Sequence, residues 1–310
     1  MRIKMYVMLL LVSIFIGASF NLAAYAVHYF SAPAAAAWRF GLASLLILVL
    51  LLMREHMNKA AWAANWPMFI ALGLLGVFGF NMLFFEGMKF TSPLNGSLIM
   101  ATNPMVSALL ARWILKDKLT ARQSFGILVS LLGVLLVLTH GSWQVVRTLS
   151  FSGGDLLLVG GNLCWALYGV LNRRFVRGST SLATTAYTMT IGAIGLILFS
   201  ATAPSPLPVA AVPAAAWGAI AFMAIFTSVL GYLWWNEGIA QLGVGKTAIF
   251  FNLVPLVTML LSLASGTEVT PVQLLGTAMV LTGVVIASAV RQAARRPSAV
   301  PAKPARQSPH

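Results

Sequence analysis

Charge is what this chain has least of. Only 8% of its 310 residues are Asp, Glu, Lys or Arg, and only 6 are acidic. A water-soluble domain carries about a quarter charged residues, so a soluble surface cannot be built here. With 59% hydrophobic residues and a mean hydropathy of +0.89, most of the chain has lipid as its solvent. Cys164 is the single cysteine. It excludes an intrachain disulfide and a cysteine-built metal site, and reads as a small apolar packing residue. The four histidines, His28, His56, His140 and His310, lack metal-ligand spacing. There is no Gly-x4-Gly-Lys loop to cradle ATP phosphates and no Gly-x-Ser-x-Gly nucleophile elbow. Neither a cofactor nor enzyme chemistry is expected.

Basic residues are plentiful, and the net charge is +14. They form no stripe for nucleic acid; they sit between apolar runs, as juxtamembrane anchors do. The opening "MRIKMYVMLLLVSIFIGASF" has bases before an apolar run, but no small-residue cleavage site closes it. It reads as a retained first transmembrane helix rather than a signal peptide. About 20 apolar residues make one span. Breaks at charges, Pro and Gly give ten spans: 4–26, 33–53, 66–88, 93–114, 121–139, 153–173, 181–201, 212–236, 244–265 and 270–290. Backbone groups in lipid must be satisfied internally, so the spans are expected to be helices. With both termini cytoplasmic, seventeen of the twenty Lys and Arg fall on the cytoplasmic side. Arg39, Lys89 and Arg147 fall on the other. That asymmetry obeys the positive-inside rule.

The chain also repeats itself. "EGMKFTSPLNGSLIMATNP" (86–104) and "EGIAQLGVGKTAIFFNLVP" (237–255) place Glu-Gly and Pro at the same offsets, 151 residues apart. The likeness continues: Val106, Leu109 and Leu110 match Val257, Leu260 and Leu261, and Asp117 matches Glu268. After one gap, Gln123, Gly126 and Gly133 match Gln273, Gly276 and Gly283. Residues 1–145 and 150–292 each hold five spans, followed by a Pro-, Ala- and base-rich tail, 293–310, expected to be disordered and cytoplasmic. Five is odd, so the second half enters the membrane from the opposite side. The fold class expected is all-α integral membrane, ten transmembrane helices in two inverted five-helix repeats. Substrate sites in such folds lie near the midplane between the repeats.

These features resemble the drug/metabolite transporter superfamily, whose members carry two EamA repeats. The resemblance rests on the two Glu-Gly to Pro stretches, on "KDKLTARQSFG" (116–126) and "TEVTPVQLLG" (267–276), and on "WRF" (38–40). It covers roughly residues 4–290. It implies a secondary exporter of small metabolites, including amino acids, and a subgroup similar to this chain exports aromatic amino acids. Members often carry Trp near Ile16 and Lys near Ala24; both are absent here.

Individual residues have both structural and functional readings. Glu86 and Glu237 can cap, pair with a base such as Lys89, or serve gating or coupling. Asp117 and Glu268 read as helix-start acids. Arg39 lies six residues inside the second span, where it can snorkel, form an ion pair or hold a substrate carboxylate. Pro104 and Pro255 each remove a backbone hydrogen bond and are expected to kink the fourth and ninth helices. Candidate cavity residues are Phe20, Asn21, Phe78, Asn81, Phe85, Met100, Asn103, Asn162, Trp165, Tyr168, Tyr232, Trp235 and Asn252. Aromatics suit a flat apolar cargo, and an intramembrane Asn either joins helices or faces a cavity. Asn81 and Tyr232 hold equivalent repeat positions. Glycines at close-packing spacing include Gly73, Gly76 and Gly79, Gly192 and Gly195, and Gly126 with Gly133.

The expected function is alternating-access export of a small metabolite, amino acids first, from a monomer in a bacterial plasma membrane. Its partners are the small-molecule cargo and membrane lipid. A drug or other-metabolite permease, a passive facilitator and a channel remain open. A lipid enzyme would need a catalytic cluster, which the sequence lacks, and a receptor would need longer loops.

Overall fold

The computed structural model describes residues 2–55, 59–114, 116, 121–139, 141–144, 152–203, 207–266 and 268–288. His56, Asp117, Lys118, His140, Arg147, Arg291 and the tail 293–310 lie outside the described residues. No strand occurs among those described, and the helices form ten long rods. The first half holds α1 (Arg2–Ala26), α2 (Ala32–Arg54), α3, α4 and α5 (Ala121–Leu138). The second holds α6 (Gly153–Phe175), α7 (Ser181–Ser200), α8, α9 and α10 (Pro271–Ser288). α3 runs Lys59–Leu72, continues as a π-helix over Gly73–Gly79 and ends as Phe80–Gly87. α8 repeats this with Ala214–Phe222, a π-helix over Met223–Leu230, and Gly231–Leu242. α4 is split into Pro93–Ala101 and Asn103–Ile114. α9 is split into Val244–Ala248, a 3-10 stretch Ile249–Leu253 and Val254–Ala264.

Eight of the rods are long and apolar enough to cross a membrane. α5 and α10 carry shorter apolar stretches, Ser124–Val137 and Pro271–Gly283. The chain is a multi-pass membrane protein. α3 begins seven residues before the span expected from hydropathy, and α8 runs six residues beyond it. Nothing in "KAAWAAN" or "NEGIAQL" breaks a helix, and α8 stops only at Gly243, whose φ is +86°. At 29 residues each rod is about 43 Å long, longer than the roughly 30 Å hydrocarbon core. Helix propensity, not hydropathy, sets those ends.

Local chemistry marks the other starts. Ser31, Ser92, Ser152 and Thr180 each accept a backbone N–H of the helix that follows, satisfying donors that a helix N-terminus leaves open. Pro33 and Pro93 occupy first turns, where a missing N–H costs nothing.

Two pairs of equivalent helices, α2 with α7 and α5 with α10, pack against one another and run antiparallel. α5 meets α10 with Gly126 beside Gly283 and Gly133 beside Gly276. α2 meets α7 with Gly41 near Ile197, and Thr180 at the start of α7 donates to Glu55, just past α2, at 2.6 Å. α1 packs on α8 and α9 as α6 packs on α3 and α4. Exchange of the halves therefore maps each set of contacts onto the other. Glycines make the approaches possible: a Cβ on Gly192 would lie 2.4 Å from Val77 Cβ, and one on Gly76 2.3 Å from the Tyr168 ring. Such backbone proximity is the main attraction between helices in lipid.

A Cβ on Gly283 would lie 2.5 Å from the Ser130 backbone nitrogen. Gly283→Val should force α5 and α10 apart, costing about 1–3 kcal/mol as overpacking does, and lower the melting temperature in detergent by several degrees. Gly218 has nothing within 4 Å, so Gly218→Ala in the same assay should leave that temperature unchanged or raise it.

Candidate functional site

The interruptions of α4 and α9 organise the centre of the molecule. Pro104 and Pro255 cannot donate to the carbonyl one turn earlier, and each helix is irregular just before its proline. The first helix of the opposite half holds each break. On α6, Asn162 Nδ2 donates to the Ile99 carbonyl at 3.0 Å and to Thr102 Oγ1 at 2.8 Å. On α1, Ser13 Oγ donates to the Phe250 carbonyl at 2.7 Å. Ile99 and Phe250 are equivalent residues, 151 apart. The π-helices are tied across the halves in the same way: Tyr232 donates its hydroxyl to the Gly76 carbonyl at 2.9 Å, and Asn81 Nδ2 donates to that hydroxyl at 3.4 Å.

Between these four helices and α1, α2 and α6 lies a narrow apolar cavity. It offers about 40 Å³ to the centres of water-sized molecules, room for about three waters. Its wall is assembled in equivalent pairs: Phe80 with Gly231, Phe84 with Trp235, and Met100 with Phe251, each 151 apart, and Ile16 with Trp165, 149 apart. Trp165 is its centre. Its ring lies 4.7 Å from Tyr232, 5.3 Å from Phe80 and 5.9 Å from Trp235. The indole N–H of Trp165 is buried and has no partner.

One wall is polar. Ser19 and Thr227 share a hydrogen bond of 2.6 Å. Beside them is Arg39, 3% exposed. Arg39 Nε donates to Ser228 Oγ at 2.8 Å, and its guanidinium lies 5.0 Å from the Phe40 ring centre and 5.9 Å from that of Phe85. Among the described residues it has no carboxylate partner; the ion pair found there is Lys89–Glu86.

The residues singled out in the sequence fall in several places. Phe20, Arg39, Met100, Trp165, Tyr232 and Trp235 line the cavity. Asn81, Phe85 and Tyr168 lie behind its wall: Asn81 and Phe85 touch Tyr232 and Arg39, and Tyr168 stacks on Trp165 at 5.4 Å. Asn103 donates to Asn162 Oδ1 at 2.8 Å, so that pair joins α4 to α6. Asn21 joins α1 to α9, donating to the Thr258 carbonyl and accepting from Ser262. Asn252 is buried away from the cavity, and Phe78 packs on Phe199 and Gly195. Glu86 pairs with Lys89 at 2.9 Å, and Glu237 accepts from Gln241 at 2.6 Å; neither lines the cavity. Glu268 is exposed.

Ile16, Ser19, Phe80, Phe84, Thr227, Gly231 and Phe251 were not among the residues the sequence nominated. The repeat offset was the signal for two of them: Phe84 and Phe251 answer to Trp235 and Met100. Asn236 was also passed over. Its Nδ2 donates to Tyr168 Oη and Thr185 Oγ1, both at 2.8 Å. Asn236 also lines a second, open pocket of about 430 Å³, with Asn172, Arg173, Ser181 and Thr184. The Tyr168–Asn236 contact thus stands between that polar pocket and the aromatic cavity.

The model of the EamA-like transporter family matches this chain twice, over residues 3–139 and 152–289. The chain belongs to that family. The transporter YyaM of Bacillus subtilis (strain 168), described as uncharacterized, is 54% identical over 93% of this chain and 95% of its own length. The "Aromatic amino acid exporter YddG" of Ancylobacter novellus is 23% identical over 65% of this chain and 68% of its own. A "Probable terminal-alkyne amino-acid exporter" of Streptantibioticus cattleyicolor is 24% identical over 78% and 79%. A crystal structure at 19% identity superposes with a TM-score of 0.64, covering 90% of this chain and 94% of the other. That likeness concerns the fold. As an EamA-family transporter, the chain carries its two repeats as the two halves that surround the cavity.

Asn162 supplies hydrogen bonds to two groups of the α4 break, where Ser13 supplies one to the α9 break. Asn162→Leu should therefore cost more than Ser13→Ala, about 1–3 kcal/mol against about 1 kcal/mol. Thermal unfolding of the two purified variants in detergent measures the difference.

Proposed function

We propose that this transporter exports a small organic metabolite across the bacterial plasma membrane by alternating access. The observation that carries the reading is the cavity itself: an aromatic chamber lined by paired, equivalent residues of both halves, with one buried cation in its wall. In this reading α1 to α10 all span the membrane, and residues 1–145 and 150–292 are the inverted halves. Both termini and the tail 293–310 are cytoplasmic. The antiparallel packing of α2 on α7 and of α5 on α10 supports it, because a pseudo-two-fold axis in the membrane plane reverses every helix. The protein acts as a monomer, and no cofactor takes part.

The cavity as it stands is too small for an amino acid, so cargo enters only when the halves move apart. The polar pocket at the ends of α6, α7 and α8 faces the cytoplasm in this topology and forms an entrance. Tyr168 and Asn236 close it from the chamber. The breaks before Pro104 and Pro255 and the two π-helices are the bending points, since backbone there lacks a full ladder of helical hydrogen bonds. Aromatic and apolar amino acids are the first cargo class, supported by the chamber's ring faces and by the names of the distant relatives. A passive or exchange mode is favoured over proton coupling through Glu86 and Glu237, because both carboxylates are engaged outside the chamber.

Purified protein in liposomes should take up labelled phenylalanine or tryptophan saturably, and faster with unlabelled solute on the far side. Trp165→Ala should raise KM by about 2–10-fold, the worth of a lost aromatic pair. No uptake of apolar amino acids above protein-free liposomes would remove that cargo class. Replacement of both Glu86 and Glu237 by Gln should leave the response to an imposed pH gradient unchanged. Loss of that response would assign them the proton.

A further inference from the structure

Among the described residues, the charge that the chamber holds has no opposite. Arg39 is buried, faces the cavity, and has Ser228 as its hydrogen-bond partner. The chain has six acidic residues. Five are described, and none lines the cavity. Glu55 is engaged by Thr180, Glu86 by Lys89, Asp155 by Thr91 and Glu237 by Gln241, while Glu268 is exposed. Asp155 lies ten residues before Trp165 on α6, about 15 Å along the axis. A buried cation without a counter-ion is costly in a low-dielectric site. Ionisable groups inside membrane spans ordinarily pair with one another or with what passes through. A guanidinium has a fork of donors suited to a carboxylate.

The same inventory bears on the other end of an amino acid. An α-ammonium group is neutralised by a carboxylate, and none among the described residues faces the cavity; ring faces and hydroxyls are the uncharged acceptors it would meet there. We propose that the cargo itself is the missing counter-ion of Arg39, and that it is an aromatic monocarboxylate anion rather than a zwitterionic amino acid. This rests on the transport reading above and revises its cargo class: aromatic anions come first, and aromatic amino acids become the weaker cargo. A carboxylate neutralises Arg39 while the rings of Trp165, Tyr232, Trp235 and Phe251 take the flat body; a zwitterion brings a second charge, an ammonium group, that no carboxylate there neutralises. One consequence concerns turnover. The loaded chamber is neutral and the empty one is charged, so the loaded form reorients more readily and exchange outpaces net efflux.

The test uses three probes that share a phenyl group and differ in charge at pH 7: phenylpyruvate (anion), phenylalanine (zwitterion) and phenethylamine (cation). Binding to full-length protein in detergent, in a buffer free of chloride and of carboxylates, is read by the melting temperature and by tryptophan fluorescence. Ligand that binds only the folded state raises the melting temperature in proportion to its affinity. Phenylpyruvate should bind at least tenfold more tightly than phenylalanine, and phenethylamine should not bind. Arg39→Gln should abolish phenylpyruvate binding, and Arg39→Lys should keep part of it. Without ligand, Arg39→Gln should melt no lower than the native protein, because it removes an unpaired buried charge; an Arg39 that is merely structural would melt lower. In liposomes, internal phenylpyruvate should accelerate its own uptake at least threefold. Phenylalanine binding as tightly as phenylpyruvate overturns the anion inference and leaves the transport reading intact. Chloride giving the same shift at equal concentration also overturns it, since the chamber would then be an inorganic anion site. Failure of all three probes to bind overturns the chamber as an aromatic cargo site, and the inference with it.

Discussion

Inside a bilayer no water is present to complete a broken helix, so every backbone group released by an irregularity must find a partner in protein. This chain has four such irregularities near its centre: the breaks in α4 and α9 and the π-helices in α3 and α8. For three of them the satisfying group comes from the opposite half. Asn162 serves Ile99, Ser13 serves Phe250, and Tyr232 serves Gly76. Each half thus adds a cross-half partner to the other's irregular helices, at Ile99 beside the bonds that Thr102 of the same helix already makes. The dependence is mutual, and it holds the two halves in register around the chamber.

That arrangement also defines what can move. Regular helices packed through glycine contacts, such as α5 on α10, have close backbone approaches that resist separation. The irregular helices are held in part by hydrogen bonds to side chains of a neighbouring helix, which can be exchanged as helices slide. The α5–α10 pair contributes no residue to the chamber wall, whereas the irregular helices line it. The chamber thus sits where the backbone is least regular.

The chamber is symmetric in shape and asymmetric in chemistry. Its apolar wall is built from equivalent positions, yet Arg39 and the Ser19–Thr227 pair lie on one side and Trp165 on another. A duplicated framework supplies an enclosure between the two halves. Divergence of a few side chains within it decides what the enclosure recognises. The Asn81–Tyr232 pair shows this at one position: equivalent residues that have become unlike now bond to each other.

Composition alone required lipid as solvent, because six acids and twenty bases cannot cover a soluble surface of this length. The repeated Glu-Gly to Pro stretches were readable as a duplication, because spacing survives where side chains diverge. Helix starts at Ser31, Ser92 and Thr180 were local and equally readable. The ends of α3 and α8 were not, since helix propensity carries them past the hydrocarbon limit that hydropathy detects. Which Asn would face a cavity could not be read either: Asn103 and Asn162 are intramembrane amides like any other until the fold sets them 2.8 Å apart. Arg39 was conspicuous as a base within a span, but its lack of a counter-ion depends on where the five described acids come to rest. Periodicity and composition are properties of the chain and can be read along it. Whether a polar group is partnered is a property of three-dimensional neighbours, and only the tertiary structure decides it.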